Sequence, residues 1–223
     1  MLFRSTEIIH EEAGTVDKFE GDAIIAFWNA PLEVGDHPLR VVRTALRCQE
    51  QLAFLNPQFI KRAGGDLRMR IGIHTGSAVV GNMGSRTRFD YTMLGDAVNL
   101  AARLEGANKA FGTYVMISDA TRQEIGSAFP VREIARLAVV GRKEPITVYE
   151  PMLPDAYEKH RKALEIFDQG LRFFYTGRFP EADKMFVSIA NQDPPAARYL
   201  AKCRQYTASP PGNWDGVWVM TSK

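Results

Sequence analysis

Apolar residues recur along this chain with two spacings, one near 3.6 and one of 2, and the switches between them mark its elements. Residues 5–12 read as the end of a helix with Ile8 and Ile9 turned to a core, and Gly14 stops it. Residues 15–19 and 23–28 are strand-like and are joined by Glu20-Gly21-Asp22 as a hairpin. A Pro- and Gly-containing loop covers residues 29–37. Pro38 then opens a helix to about Leu55, with Val41, Val42, Ala45, Leu46, Leu52 and Leu55 near the helical period. Alternation over residues 67–75 predicts a strand. Residues 78–93, rich in Gly and β-branched side chains, predict two strands around a loop at 84–88. A helix over 96–108, a short strand over 114–117 and a helix capped by Ser118-Asp119 and running through Ile125 follow. Residues 131–134, 137–140 and 146–151 read as closing strands. Helices alternate with strands that two hairpins interrupt, which predicts an α+β fold with a mostly antiparallel sheet covered by helices.

From Asp155 the strand signals stop until the last dozen residues. Ala163, Ile166, Gly170, Phe173, Gly177, Phe179, Ala182, Phe186, Ile189 and Pro194 have the spacing of one tetratricopeptide repeat, and a third helix follows over 196–206. A single repeat cannot bury its own apolar face, so this segment is expected to dock on or cap what precedes it. The tail from Pro210 to Val219 carries two tryptophans that need a surface to cover. The expected organisation is a domain over 1–152 and a helical, repeat-like segment with a Trp-containing tail over 155–223. That segment reads first as a structural appendage and second as a peptide-binding or dimer-stabilising module.

The chain has 223 residues, a length that allows one or two domains with a sizeable core. A formal net charge of +2 gives no strong pull on nucleic acid. Cys48 and Cys203 lie far apart in helical-looking segments and read as buried reduced thiols, as in a cytoplasmic protein. No apolar run approaches the length that spans a bilayer, and the N-terminus lacks a signal-peptide core, so no membrane contact is expected from this segment. His10, His37, His74 and His160 are scattered without metal-site spacing, and no G-x-x-x-x-G-K-[ST] loop is present.

The stretch G-D-A-V-N-L-A-A-R, from Gly95 to Arg103, carries the most chemistry. It sets Asn99 and Arg103 four residues apart at the start of an Ala-rich helix, on one face. An amide beside a planar guanidinium fork suits a phosphate. Upstream stand V-D-K-F-E-G-D (Val16 to Asp22), I-G-I-H-T-G (Ile71 to Gly76), V-V-G-N-M-G-S (Val79 to Ser85) and R-F-D-Y-T-M-L (Arg88 to Leu94). In this order the segments closely resemble the class III adenylate/guanylate cyclase catalytic domain of bacterial type, over roughly residues 1–152. The resemblance implies a ferredoxin-like cyclase fold and conversion of ATP to 3′,5′-cyclic AMP and pyrophosphate. It also implies a homodimer whose site combines metal carboxylates of one subunit with the Asn and Arg of the other. The loop over 80–88 then belongs to a dimer arm.

Residue by residue, the resemblance implies that Asn99 orients the ribose and that Arg103 meets charge developing on the α-phosphate. It makes Lys18 and Thr92 the base-selecting pair and Asp22 one ligand of two Mg²⁺ or Mn²⁺ ions. Their chemistry favours adenine: Lys18 can donate to the unprotonated N1, and the Thr92 hydroxyl can accept from the 6-amino group. Guanine reverses both groups, and buried mismatches of this kind are costly. V-V-G-R-K-E-P-I-T-V-Y-E (Val139 to Glu150) resembles a family segment in which lysines beside the Gly bind triphosphate. Val140 stands at the first lysine position and Arg142 at the second, so Arg142, backed by Lys143, is the expected triphosphate contact.

The chain departs from the pattern at its start. The strand that carries the family's first metal-binding Asp has no counterpart, which reads as an N-terminally truncated cyclase with little activity by itself. Family members with a similar W-D-G-V-W tail often carry a sensor and membrane helices upstream, so a longer parent can be membrane-anchored with this part in the cytoplasm. The competing readings are a degenerate, inactive regulatory or dimerisation module and a peptide-binding scaffold.

Overall fold

The structure is a computed structural model and describes residues 2–85, 87, 89–139 and 144–220. Helix α1 (Leu2–Glu11) leads into strands β1 (Thr15–Glu20) and β2 (Ala23–Phe27), an antiparallel hairpin turned at Gly21 and Asp22. The buried carboxylate of Glu12, just past α1, accepts from Arg43 and Arg47, each at 3.0 Å. Both arginines lie on helix α2 (His37–Ala63), so this cluster ties α1 to α2. Helix α2 runs past the expected end near Leu55, through Pro57, and stops at Gly64, whose φ of 75° and N–H to the Ile60 carbonyl close it.

The central sheet has five strands in the order β3 (Ile71–Ile73), β6 (Val115–Ser118), β8 (Ile146–Pro151), β7 (Val131–Ala138) and β9 (Trp218–Val219). The pairs β3–β6 and β7–β9 are parallel, and β6–β8 and β7–β8 are antiparallel. Strands β4 (Val79–Gly84) and β5 (Phe89–Leu94) form a second separate antiparallel hairpin. The fold is mixed α+β, as the pattern predicts. Three expected strands differ. The strand over 67–75 contracts to β3, because backbone groups before it are taken by α2 side chains. Asn56 bonds both the N–H and the carbonyl of Leu67, and Gln49 donates to the Met69 carbonyl at 2.9 Å. The strands expected over 131–134 and 137–140 are one strand, β7, carried across a bulge between Glu133 and Ala135; Val140 lies outside the described residues.

Helix α3 (Asp96–Phe111) lies directly on the sheet, and α4 (Asp119–Ile125) follows β6 with Ser118 as its cap, accepting from the Thr121 N–H. Gly72 on β3 permits the close approach of α3: a Cβ there would sit 2.2 Å from the Ala101 carbonyl oxygen and from the Glu105 nitrogen. Leu100, Leu104, Ala107, Asn108 and Phe111 form the buried stripe of α3, with helical spacing. Beyond the sheet come α5 (Pro154–Tyr175), α6 (Phe179–Val187) and α7 (Pro194–Ala208).

These three helices share one core with the sheet and α3. Phe167, Phe174, Phe186 and Tyr199 pack in the same cluster as Leu100, Phe111, Met116, Ile134 and Leu137. Phe174, fully buried, meets Tyr199 at 4.8 Å and Trp214 at 5.0 Å between ring centres, both edge to face. The tail covers this core: Trp214 donates to the Phe174 carbonyl, and Trp218 begins β9 on the edge of β7. Cys48 and Cys203 are both buried and free, as expected, and burial pushes both thiols up, Cys203 to about 12. Among the described residues no helix is long and apolar enough to cross a membrane.

Candidate active site

Regular alternation along β1 would send Asp17 and Lys18 to opposite faces of the hairpin. The ladder prevents this: Val16 pairs with Ala26 and Lys18 with Ile25, so Asp17 is the extra residue of a β-bulge. Its carboxylate, 2% exposed, comes within 3.8 Å of the Lys18 ammonium, which is 42% exposed. From β5, 75 positions along the chain, the Thr92 hydroxyl donates to Asp17 Oδ2 at 2.7 Å. Phe27 and Tyr91, with ring centres 6.1 Å apart, pack the two hairpins together beside this contact. The fold thus brings Lys18 and Thr92 to one carboxylate. The other oxygen, Asp17 Oδ1, is buried and accepts no hydrogen bond from the described residues. The 3.8 Å to Lys18 is attraction across more than hydrogen-bond distance.

Asp17, where Lys18 and Thr92 meet, is a residue of this site that sequence reasoning missed. Its signal was its type, because Asp is depleted in strand interiors, where it offers neither packing nor β-branching.

Asn99 and Arg103 follow directly from the start of α3. Gly95, at a φ of 151°, makes the turn from β5 into the helix. Asn99 and Arg103 each precede a buried leucine, Leu100 and Leu104, so both flank the stripe that faces the sheet. Asn99 is exposed and Arg103 half-buried. Arg103 Nη1 is shut off from solvent and has no hydrogen-bond partner among the described residues. A buried guanidinium N–H without an acceptor is costly, and a bound anion is one group that relieves it. Among the described residues, no hydrogen bond or ion pair joins Asn99 or Arg103 to Lys18, Thr92 or Asp22.

A sequence profile of the adenylate and guanylate cyclase catalytic domain matches residues 6–150, from α1 through β8. The chain belongs to this family. Adenylate cyclase 1 of Rhizobium meliloti is 39% identical to the cyclase domain over 147 residues, which are 65% of this chain and 22% of that protein. The chain therefore spans about a fifth of that relative. The crystal structure of the adenylyl cyclase CyaB from P. aeruginosa superposes with a TM-score of 0.61 at 29% identity, covering 68% of this chain and 78% of that one. The guanylyl cyclase Cya2 superposes equally well, with a TM-score of 0.61 at 30% identity over 68% of this chain and 76% of that one. Overall likeness does not choose between the two bases; only particular side chains can.

In this cyclase domain Asp22 stands exposed in the β1–β2 turn. Among the described residues no group of three or more His, Cys, Asp or Glu side chains is arranged to hold a metal ion. One exposed carboxylate does not make a site for two ions, so the described residues do not fit the pair of Mg²⁺ or Mn²⁺ that the sequence resemblance implies. Arg142 and Lys143, the expected triphosphate contacts, lie outside the described residues.

Proposed function

We propose that this domain binds ATP and serves its conversion to 3′,5′-cyclic AMP and pyrophosphate. The observation that carries the reading is the meeting of Lys18 and Thr92 at Asp17, which sets one donor and one hydroxyl side by side for a base edge. Lys18 donates to adenine N1, and Thr92 accepts from the 6-amino group. Asn99 orients the ribose. In the reaction the 3′-oxygen bonds to the α-phosphorus, the bond to the β-phosphate bridging oxygen breaks, and pyrophosphate leaves. The 3′-hydroxyl proton passes to solvent. Arg103 donates to the α-phosphate oxygens, where charge grows in the transition state. Its unsatisfied, solvent-excluded Nη1 supports that role. Arg142 and Lys143 are assigned to the triphosphate on sequence alone, and Asp22 to a metal ion.

The active form is proposed to be a homodimer. The β4–β5 hairpin stands out from the main sheet with Val79, Phe89 and Leu94 more than half exposed, an apolar surface suited to a second copy. Helices α5–α7 serve as a structural appendage that completes the core, and the tetratricopeptide-like spacing reflects that packing.

Because Asp22 is a single carboxylate, residues 1–223 alone are expected to turn over ATP poorly with Mg²⁺ or Mn²⁺. Any turnover is expected to yield cyclic AMP in preference to cyclic GMP. Full activity of residues 1–223 means that residues other than Asp22 complete the metal site. Inactivity with nucleotide binding intact favours a regulatory or dimerisation module. Faster use of GTP overturns the base assignment.

A further inference from the structure

We infer that Asp17 fixes the direction of the Thr92 hydrogen bond and so sets which base this domain accepts. The inference rests on the nucleotide reading above and adds a positioning residue to it. A hydroxyl is chemically neutral between purines: it has one proton and two lone pairs, and it rotates to suit its partner. Thr92 by itself could therefore accept from a 6-amino group or donate to a 6-oxo group. A carboxylate only accepts. With Asp17 Oδ2 at 2.7 Å, the Thr92 proton is already committed, and only lone pairs remain for a ligand.

The same carboxylate lies 3.8 Å from the Lys18 ammonium and holds that cation beside the hydroxyl. Asp17 can do both because the bulge after Val16 frees it from strand alternation. It stays in place because its side chain is 2% exposed and the paired hairpins enclose it. An oxygen left buried without a hydrogen bond from the described residues is a standing cost, which a purely structural link between strands does not require. The pair reads a base as one fixed donor, Lys18, and one fixed acceptor, Thr92.

The test is equilibrium binding of the full chain to three nucleotides: ATP, purine ribonucleoside triphosphate and 6-methoxypurine ribonucleoside triphosphate. All three keep an unprotonated N1 for Lys18. They differ only at position 6, which carries a donor, nothing, or an acceptor. The wild-type chain should bind ATP most tightly and the 6-methoxy compound most weakly, with about three- to tenfold between successive ligands. In Asp17→Asn the amide can donate to Thr92, and the hydroxyl can then turn outward. Measured relative to the unsubstituted purine, whose own change reports the hold on Lys18, that variant should lose several-fold for ATP and gain for the 6-methoxy compound.

In a Thr92→Val background the Asp17→Asn change should no longer alter the ranking. Equal weakening for all three ligands assigns Asp17 a structural role only and overturns the inference, as does an unchanged ranking. If Asp17→Asn does not fold, the wild-type ranking decides, since binding the 6-methoxy compound as tightly as ATP shows a hydroxyl free to turn. A wild-type chain that prefers ATP while Asp17→Asn fails these tests sinks the inference and spares the nucleotide reading. A wild-type chain that binds none of the three sinks both.

Discussion

At the scale of single residues, the proposed function assigns Lys18 and Thr92 to the base and Arg103 to reaction charge, and mutations should separate these roles. Arg103→Ala should lower turnover of ATP by about 100- to 1,000-fold while changing nucleotide affinity little, since the guanidinium acts on charge that grows only in the transition state. A raised Michaelis constant with unchanged turnover would contradict that role. Lys18→Glu should act in the opposite way, weakening ATP binding before it creates any use of GTP. The new carboxylate would sit beside buried Asp17 and repel it, at a cost of the order of 1–3 kcal/mol for the lost donor alone. Competition binding with ATP and GTP checks this, and a clean switch to GTP would contradict it. The roles proposed for Lys18, Thr92, Asn99 and Arg103 rest on the resemblance of their motifs to the cyclase family, and of these residues the structure brings Lys18 and Thr92 together. Asp17 was legible only in its type, an Asp inside a strand: the spacing of 2 assigns it to the far face, and the bulge turns it back.

At the scale of elements, the join between sheet and C-terminal helices rests on a buried charge cluster. Arg132 on β7 reaches Glu150 on β8 at 2.7 Å and Asp193 at 2.8 Å, and its guanidinium stacks 5.1 Å from the centre of Phe167 on α5. Asp193 also caps α7, accepting from the Ala196 N–H. Burial pushes the Glu150 carboxyl up, and Arg132 pulls it part of the way back. Burial also works against the Arg132 cation, but the charges of Glu150 and Asp193 outweigh it and raise Arg132 above its ordinary value.

Arg132→Met should cost about 3–5 kcal/mol, because it strands carboxylates in the interior. The sign of its pH dependence follows from Glu150. A carboxyl raised in the folded state favours folding below its unfolded value and loses that contribution as pH rises through the folded one. Removing Arg132 raises it further, so the deficit of the variant should grow from acid toward neutral pH. Denaturant titrations of both chains at several pH values check this, and a deficit that shrinks with rising pH would contradict it. Patterning predicted α3, both hairpins and α5–α7, where one face is apolar throughout. It misplaced β3 and the end of α2, where Asn56 and Gln49 settle backbone groups by side-chain hydrogen bonds that hydrophobic spacing does not encode.

At the scale of the whole molecule, the question is whether the cyclase domain can stand without the helices that follow it. The profile match ends at residue 150, yet the core continues past it. Phe111, Met116, Ile134 and Leu137, all fully buried, belong to one cluster with Phe167, Phe174 and Tyr199. Tyr199 donates to the Ile134 carbonyl, and Tyr175 donates to Glu133, so β7 is bonded to α5 and α7 as well as packed on them. The edge of β7 is covered by β9, which begins at Trp218.

Cutting the chain after Met152 should therefore expose a contiguous apolar face and open the edge of β7. The shortened chain is expected to aggregate or bind a hydrophobic dye and to melt without a sharp transition. In the full chain, tryptophan fluorescence and far-ultraviolet circular dichroism should report one coincident transition, because Trp214 and Trp218 sit in the shared core and Trp28 beside α1. Two separated transitions in the full chain, or a monomeric and cooperatively folded chain over residues 1–152, would show that the helices are an independent unit. The smaller change Phe174→Ala gives a graded version of the same test. It removes a ring that touches Tyr199, Phe179 and Trp214, and it should lower stability by about 3–5 kcal/mol. If the core is shared, that loss appears in the single transition of the whole chain. If it is not, only the signal of the C-terminal tryptophans moves, and Trp28 keeps its wild-type midpoint.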